Sequence, residues 1–171
     1  MKKAEYILAA TVATLVVHLA AWAQEAPGKE GAELAKAVSA AKVSLEKGLT
    51  AAVIKGKPIS AKFEMEDGKL QLSVYTMKGD EFYEVVVDHQ TGKITKTEPI
   101  TEGEDLAAAK SQSEAMAKAK LSLRNAVRKA VAEHKGFLAV SVFAELKDGH
   151  PVADVSLVKG EESEAVTERL D

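Results

Sequence analysis

Two patterns of apolar spacing alternate along the chain. Leu34, Val38, Ala41, Leu45, Ala52 and Val53 recur every three or four residues, with Lys36, Lys42, Glu46 and Lys47 off that stripe, so the spacing predicts an amphipathic helix from Ala32. Lys55, Gly56 and Pro58 read as its end: a cation in the last turn, a residue free to cap, then a ring that cannot continue. The period then changes to two. Ile59, Ala61, Phe63 and Met65 predict a first strand, and Leu70, Leu72, Val74 and Thr76 a second, with Asp67-Gly68 between them as a hairpin turn. After Lys78-Gly79-Asp80 the stretch Glu81–Asp88 predicts a third strand with Tyr83, Val85 and Val87 inward, and beyond the Gly92 turn Ile94–Thr97 adds a short fourth.

Pro99–Asp105, rich in acid and containing Gly103, reads as the start of a linker covering 99–110. Ser111 and Glu114 have capping-box spacing, and a second helix is expected from there to Lys135, with Met116, Ala119, Leu123, Val127 and Ala130 on one side. Strands follow around Val140–Leu146 and Val152–Val158, separated by Asp148-Gly149. The order repeats. Ala41-Lys42-Val43-Ser44-Leu45 corresponds to Ala119-Lys120-Leu121-Ser122-Leu123, Asp67-Gly68 to Asp148-Gly149, and Lys78-Gly79 to Lys159-Gly160. The expected fold class is α+β: two tandem copies of a helix followed by a three-stranded antiparallel meander, the helix packed on one sheet face. The units run 32–98 and 111–171. Since Glu164, Val166 and Glu168 stand where the first unit has Tyr83, Val85 and Val87, the closing strand of the second unit is expected to be frayed.

The first residues set the expected compartment. Lys2 and Lys3 precede an apolar run from Tyr6 to Ala21, and Ala21-Trp22-Ala23 offers the small residues that a signal peptidase reads, so 1–23 is expected to be a signal peptide cut after Ala23. Residues 24–31, with Pro27, Gly28 and Gly31, read as a flexible leader. The chain is then periplasmic or secreted, with the membrane involved only through an uncleaved signal. A net charge of −3 over 171 residues with no basic tract in the sequence argues against nucleic acid, and the absence of cysteine excludes disulfides and thiolate chemistry.

The Asp67-Gly68 hairpin, the Tyr83-x-Val85-x-Val87-Asp88 strand and the Thr91-Gly92-Lys93-Ile94 turn resemble the PepSY domain of metallopeptidase propeptides and exported bacterial proteins. In this resemblance Asp67, Gly68, Tyr83, Val85, Val87, Asp88, Gly92 and Lys93 are the structural motif residues. The resemblance implies an exported, non-catalytic module that restrains a peptidase or engages an envelope protein.

The residues themselves offer no catalytic set. No Gly-x-Ser-x-Gly elbow, phosphate loop or calcium loop is present, and His18, His89, His134 and His150 lack metal-ligand spacing. No cofactor is expected. His89 beside Asp88 is the one suggestive pair, and a periplasmic small-ligand or metal-binding module is the alternative function. The expected partner surface comprises Tyr75 and Met77 on the sheet face opposite Leu72 and Val74, with Tyr83, Asp88 and His89.

Overall fold

In the computed structural model, which describes residues 29–171, the elements run α1 (Lys29–Ser39), α2 (Leu45–Ala52), β1 (Lys57–Glu66), β2 (Lys69–Lys78), β3 (Glu81–Val87), β4 (Ile94–Pro99), α3 (Gly103–Lys118), α4 (Leu123–Glu133), β5 (Leu138–Lys147), β6 (His150–Lys159) and β7 (Glu162–Arg169). The expected signal peptide, its cleavage point and His18 lie outside the described residues. Helix α1 begins at Lys29, inside the expected leader.

Both Asp-Gly hairpins form as period-two patterning and turn chemistry require. Asp67 and Gly68 have φ of 49° and 72°, and Asp148 and Gly149 have 52° and 82°. Two successive residues at positive φ match the twist of the flanking strands, which is why Asp-Gly suits the position.

The strands of the two expected meanders join into one sheet, larger than either. Its order is β4-β3-β2-β1-β5-β6-β7, antiparallel throughout. The joint is β1 on β5, where Ala61 faces Val142, Ser60 faces Phe143 and Lys62 faces Ser141. These residues hold matching places in the two halves: Ala61 and Val142 lie equally far before the Asp67 and Asp148 turns. The joint therefore has the self-complementary form of a two-fold interface, with an approximate axis through the Ala61–Val142 pair.

Each expected long helix is in fact two helices, broken at the repeated Ala-Lys-x-Ser-Leu motif. Ser44 and Ser122 are N-caps whose hydroxyls accept from the amides of Lys47 and Asn125. The preceding loops are tied to the sheet, for the amides of Lys42 and Val43 both donate to the carbonyl of His89, and those of Lys120 and Leu121 to that of Leu170. His89 and Leu170 follow β3 and β7 at corresponding places. Helix α2 ends at Ala52, and Gly56, expected as a positive-φ cap, is there for space: an added Cβ would stand 2.5 Å from the Met77 carbonyl oxygen.

Two boundaries differ as well. Helix α3 begins at Gly103 within the expected linker, after an extended Glu102 and with Glu104 and Asp105 in its first turn, where carboxylates favour the helix N-terminus. The Ser111–Glu114 pair lies mid-helix and caps nothing. Strand β7 is fully paired, from Val152 opposite Arg169 to Lys159 opposite Glu162, and is not frayed. Polar contacts replace the lost apolar ones: Glu168, 4% exposed, accepts from Lys129, and Glu164 pairs with His134 at 2.5 Å. Leu170, fully buried, supplies the apolar anchor just beyond.

The core lies between the helices and one face of the sheet. Ile59, Ala61, Phe63, Leu72, Val74, Val85 and Val87 from the first half, and Val142, Ala144, Ala153, Val155 and Leu157 from the second, are buried beneath Leu45, Leu49, Leu123 and Val127. One substitution is reciprocal. Gly48 on α2 touches Leu72, such that an added Cβ would meet Cδ2 at 2.6 Å, whereas the corresponding positions in the second half are Ala126 and Ala153. Helix and strand thus exchange bulk at one layer of the core.

Candidate interaction surface

The sheet face turned from the helices carries the alternate side chains of every strand. Across its middle a row runs from Glu84 through Tyr75, Ser60, Phe143 and Asp154 to Thr167 in successive strands. Tyr75 and Phe143 are half-buried by their neighbours, which sets an aromatic centre between charged flanks. The Lys62 ammonium lies 5.7 Å from the centre of the Tyr75 ring and 2.7 Å from Glu64 Oε2. Burial pushes the Tyr75 phenol up to about 12, against the pull of Lys62. Burial also opposes the Lys62 charge, but the Glu64 hydrogen bond and the field of Tyr75 outweigh it and hold the ammonium above its ordinary range.

On the other side Lys147 donates to both Asp154 oxygens at 2.8 Å, and Thr167 donates to Asp154 Oδ1. Lys147 Nζ also lies 2.7 Å from Glu145 Oε1, an ion contact without hydrogen-bond geometry. Burial raises Glu145, while Asp154, although burial opposes its charge, is lowered by Lys147 and Thr167. The pair thus holds one charge firmly and the other loosely.

The five residues expected to form a partner surface are dispersed. Tyr75 and Met77 alternate with the buried Val74 and Thr76 and so lie on the face away from the helices. Tyr83 sits opposite Thr76, on the other face, and donates to Glu81. Asp88 and His89 lie in the turn after β3, beyond the opposite end of the strand. There Asp88 Oδ1 accepts from the Gln90 amide and from the Thr91 amide and hydroxyl, and Gly92 has φ 76°. The Thr91 bonds hold the Asp88 carboxyl below its usual range. His89 contributes through its carbonyl, which binds the α1–α2 loop. Among the described residues no three of His, Cys, Asp and Glu gather to hold a metal ion. None of the described helices is long and apolar enough to cross a membrane.

The two edges of the sheet differ. Strand β4 covers the outer side of β3 and carries Pro99 and a Lys96–Glu98 ion pair, features that discourage further strand pairing. Strand β7 corresponds to β3, and among the described residues no strand covers its outer side. It has no proline and is extended over Glu162–Arg169. The sequence pattern could not show this difference, because strand order is not encoded in local alternation.

No curated protein matches the chain. A crystal structure of a protein from Clostridium difficile 630, described as a candidate lipoprotein, is similar with a TM-score of 0.42 and 15% identity over 77% of this chain and 88% of that one. Residues 33–98, which span the end of α1, α2 and strands β1–β4 with the Asp88–Lys93 turn, match the family described as "Peptidase propeptide and YPEB domain". The PepSY family match thus falls on the first helix-and-strand unit, residues 33–98.

Proposed function

We propose that the chain is an exported, non-catalytic binding protein built from two copies of one PepSY-like unit, and that it holds a peptidase or another envelope protein by accepting a strand along β7. The observation that carries this reading is the unequal treatment of the two edges. In the first half β4 closes the outer side of β3, with Val85 opposite Thr97 and Val86 opposite Lys96. In the second half the corresponding side of β7 is open among the described residues and lacks a proline block like that of Pro99. A partner strand laid there would gain backbone hydrogen bonds for affinity. The exposed alternates Ser163, Ala165 and Thr167 on one face, and Glu162 and Glu164 on the other, would select among partners.

The duplication is supported by matching Ser caps, matching loop-to-carbonyl ties and the self-complementary β1–β5 joint. The non-catalytic reading is supported by the PepSY family match over residues 33–98. A photo-reactive amino acid introduced in living cells at Ala165 on β7, and separately at Thr95 on β4, tests the reading. A discrete protein adduct is expected from Ala165 and none from Thr95. Adducts of equal yield from both edges, or from neither, would remove the β7 assignment.

A further inference from the structure

The helix layer carries a second surface that the strand-binding reading does not use. Among the described residues the large apolar side chains that stand exposed are Val53 (58%), Ile54 (81%), Leu121 (45%) and Leu138 (41%). Three of them come together. Val53 lines a cleft of about 380 Å³ between the C-terminal end of α2 and the N-terminal end of α4, floored by Leu49, Met116 and Leu123. Ile54 follows Val53 in the turn, and Leu121 precedes Ser122, which lines the same cleft. Lys57 ties the two sides by donating to the Met116 carbonyl at 2.6 Å.

The two segments that form the cleft carry charge of one sign. From residue 47 to 63, and from 115 to 132, the sequence contains Lys and Arg but no Asp or Glu, although the chain as a whole is at −3. Both stretches meet at this cleft, with Lys57 and Arg124 in its lining and Lys55, Lys118 and Lys120 next in sequence to Ile54 or within three residues of Leu121. The acids that flank the second stretch are Glu114 on α3 and Glu133 at the end of α4, and Asp171 follows Leu170, whose carbonyl binds the Lys120 and Leu121 amides. A corresponding cleft joins the other ends of the same helices, lined by Val38, Leu45, Val127 and Val131; it too carries cations, Lys42, Lys47 and Arg128, but Glu46 stands there in the place of Arg124. The first cleft differs in having no acid among its lining residues and in the exposed Val53 and Ile54 beside it.

We propose that this end of the helix layer docks on an anionic bilayer surface. Ile54 and Leu121 would enter the boundary between headgroups and acyl chains, and the lysines and Arg124 would contact headgroup phosphates. The pairing of chemistry fits: long cationic side chains keep their heads in the headgroup layer while apolar neighbours go deeper. A chain that is acidic overall is repelled by an anionic surface unless it presents such a local concentration of positive charge, since the attraction acts within a Debye length. The greatest exposure lies at the turn tip, Ile54, and falls towards the cleft. Such a side chain is placed to insert into a soft surface. In this orientation the sheet face and the β7 edge stay free for a protein.

The chain has no cysteine, so one probe site can be introduced cleanly. An environment-sensitive fluorophore is attached to full-length Ile54→Cys, and to Thr95→Cys on β4 as control, and each is mixed with vesicles of phosphatidylcholine alone or with phosphatidylglycerol added. A blue-shifted, brighter emission is expected from the label at position 54 with phosphatidylglycerol vesicles only. The control label should not change. Combining Lys55→Glu with Lys120→Glu should raise the vesicle concentration needed by about tenfold or more. The inference is overturned if the label at position 54 keeps its aqueous emission on phosphatidylglycerol vesicles. It is also overturned if the charge reversals have no effect, or if a soluble acidic, leucine-bearing peptide shifts the emission while vesicles do not. Each of these outcomes leaves the Ala165 crosslinking result, and so the β7 reading, unaffected.

Discussion

Gly48→Ala is the most informative single perturbation of the core. The new Cβ would lie 2.6 Å from Leu72 Cδ2 and 3.1 Å from Cγ, and Leu72 is fully buried, so it cannot swing aside without displacing other core atoms. Overpacking of this kind costs ~1–3 kcal/mol. Replacing a helical glycine returns ~1 kcal/mol of propensity, so a net loss of about 1 kcal/mol is expected. Leu72→Ala alone leaves a cavity under α2 and should cost about 3 kcal/mol, within the range for buried leucines. In the double variant the methyl introduced at position 48 enters the vacated space, which recreates the Ala126 and Ala153 pairing of the second half. The propensity gain then comes without the clash. The double variant should therefore be more stable than Leu72→Ala by ~1 kcal/mol, with a coupling of ~2 kcal/mol between the two sites. Urea unfolding of the four proteins, analysed at a common slope, measures this. If Gly48→Ala costs the same in both backgrounds to within ~0.5 kcal/mol, the contact with Leu72 is not the reason for the glycine.

Other predictions concern polar groups. Thr76 is fully buried and its hydroxyl has no partner, while the second half has Leu157 in its place; Thr76→Val should raise the free energy of unfolding by about 1 kcal/mol in the same urea assay. Lys129→Ala should lower the thermal midpoint by leaving the buried Glu168 unpaired, and adding Glu168→Val, which copies Val87, should restore it; failure of the second change to restore stability would show that β7 is held otherwise. Asp88 has a folded pKa below its unfolded value, so its contribution is present above the ordinary carboxylate range and is lost as pH falls through the folded pKa. Asp88→Asn should accordingly reduce the loss of stability between neutral and acid pH, a difference read by urea unfolding at both.

The strands were legible in the sequence because alternation and Asp-Gly turns are local. The broken helices were not. In isolation Ala41–Leu45 and Ala119–Leu123 continue a helical stripe, and what stops the helix is a pair of amide bonds to His89 and Leu170, far along the chain. The third strand of the second half reads as frayed because Glu164 and Glu168 look like solvent positions until His134 and Lys129 are seen beside them. The β1–β5 joint had no local sign at all, since Ala61 and Val142 alternate like any other inward residues. Of the surface residues, Tyr75 and Met77 could be assigned a face from strand period, but their separation from Tyr83, Asp88 and His89 depends on tertiary placement. The cationic cleft did leave a trace in the sequence, as two long stretches without acid.

One continuous sheet leaves β4 and β7 as its two edges, whereas separate sheets would open β1 and β5 as well. Nuclear Overhauser contacts between residues 60–62 and 141–143, together with amide exchange of β1 and β5, test it most directly. The account predicts cross-strand contacts centred on Ala61 and Val142 and slow exchange in both strands. Absence of those contacts, with fast exchange along one side of β1, would mean that the two halves are separate sheets and that β1 and β5 are open edges alongside β4 and β7.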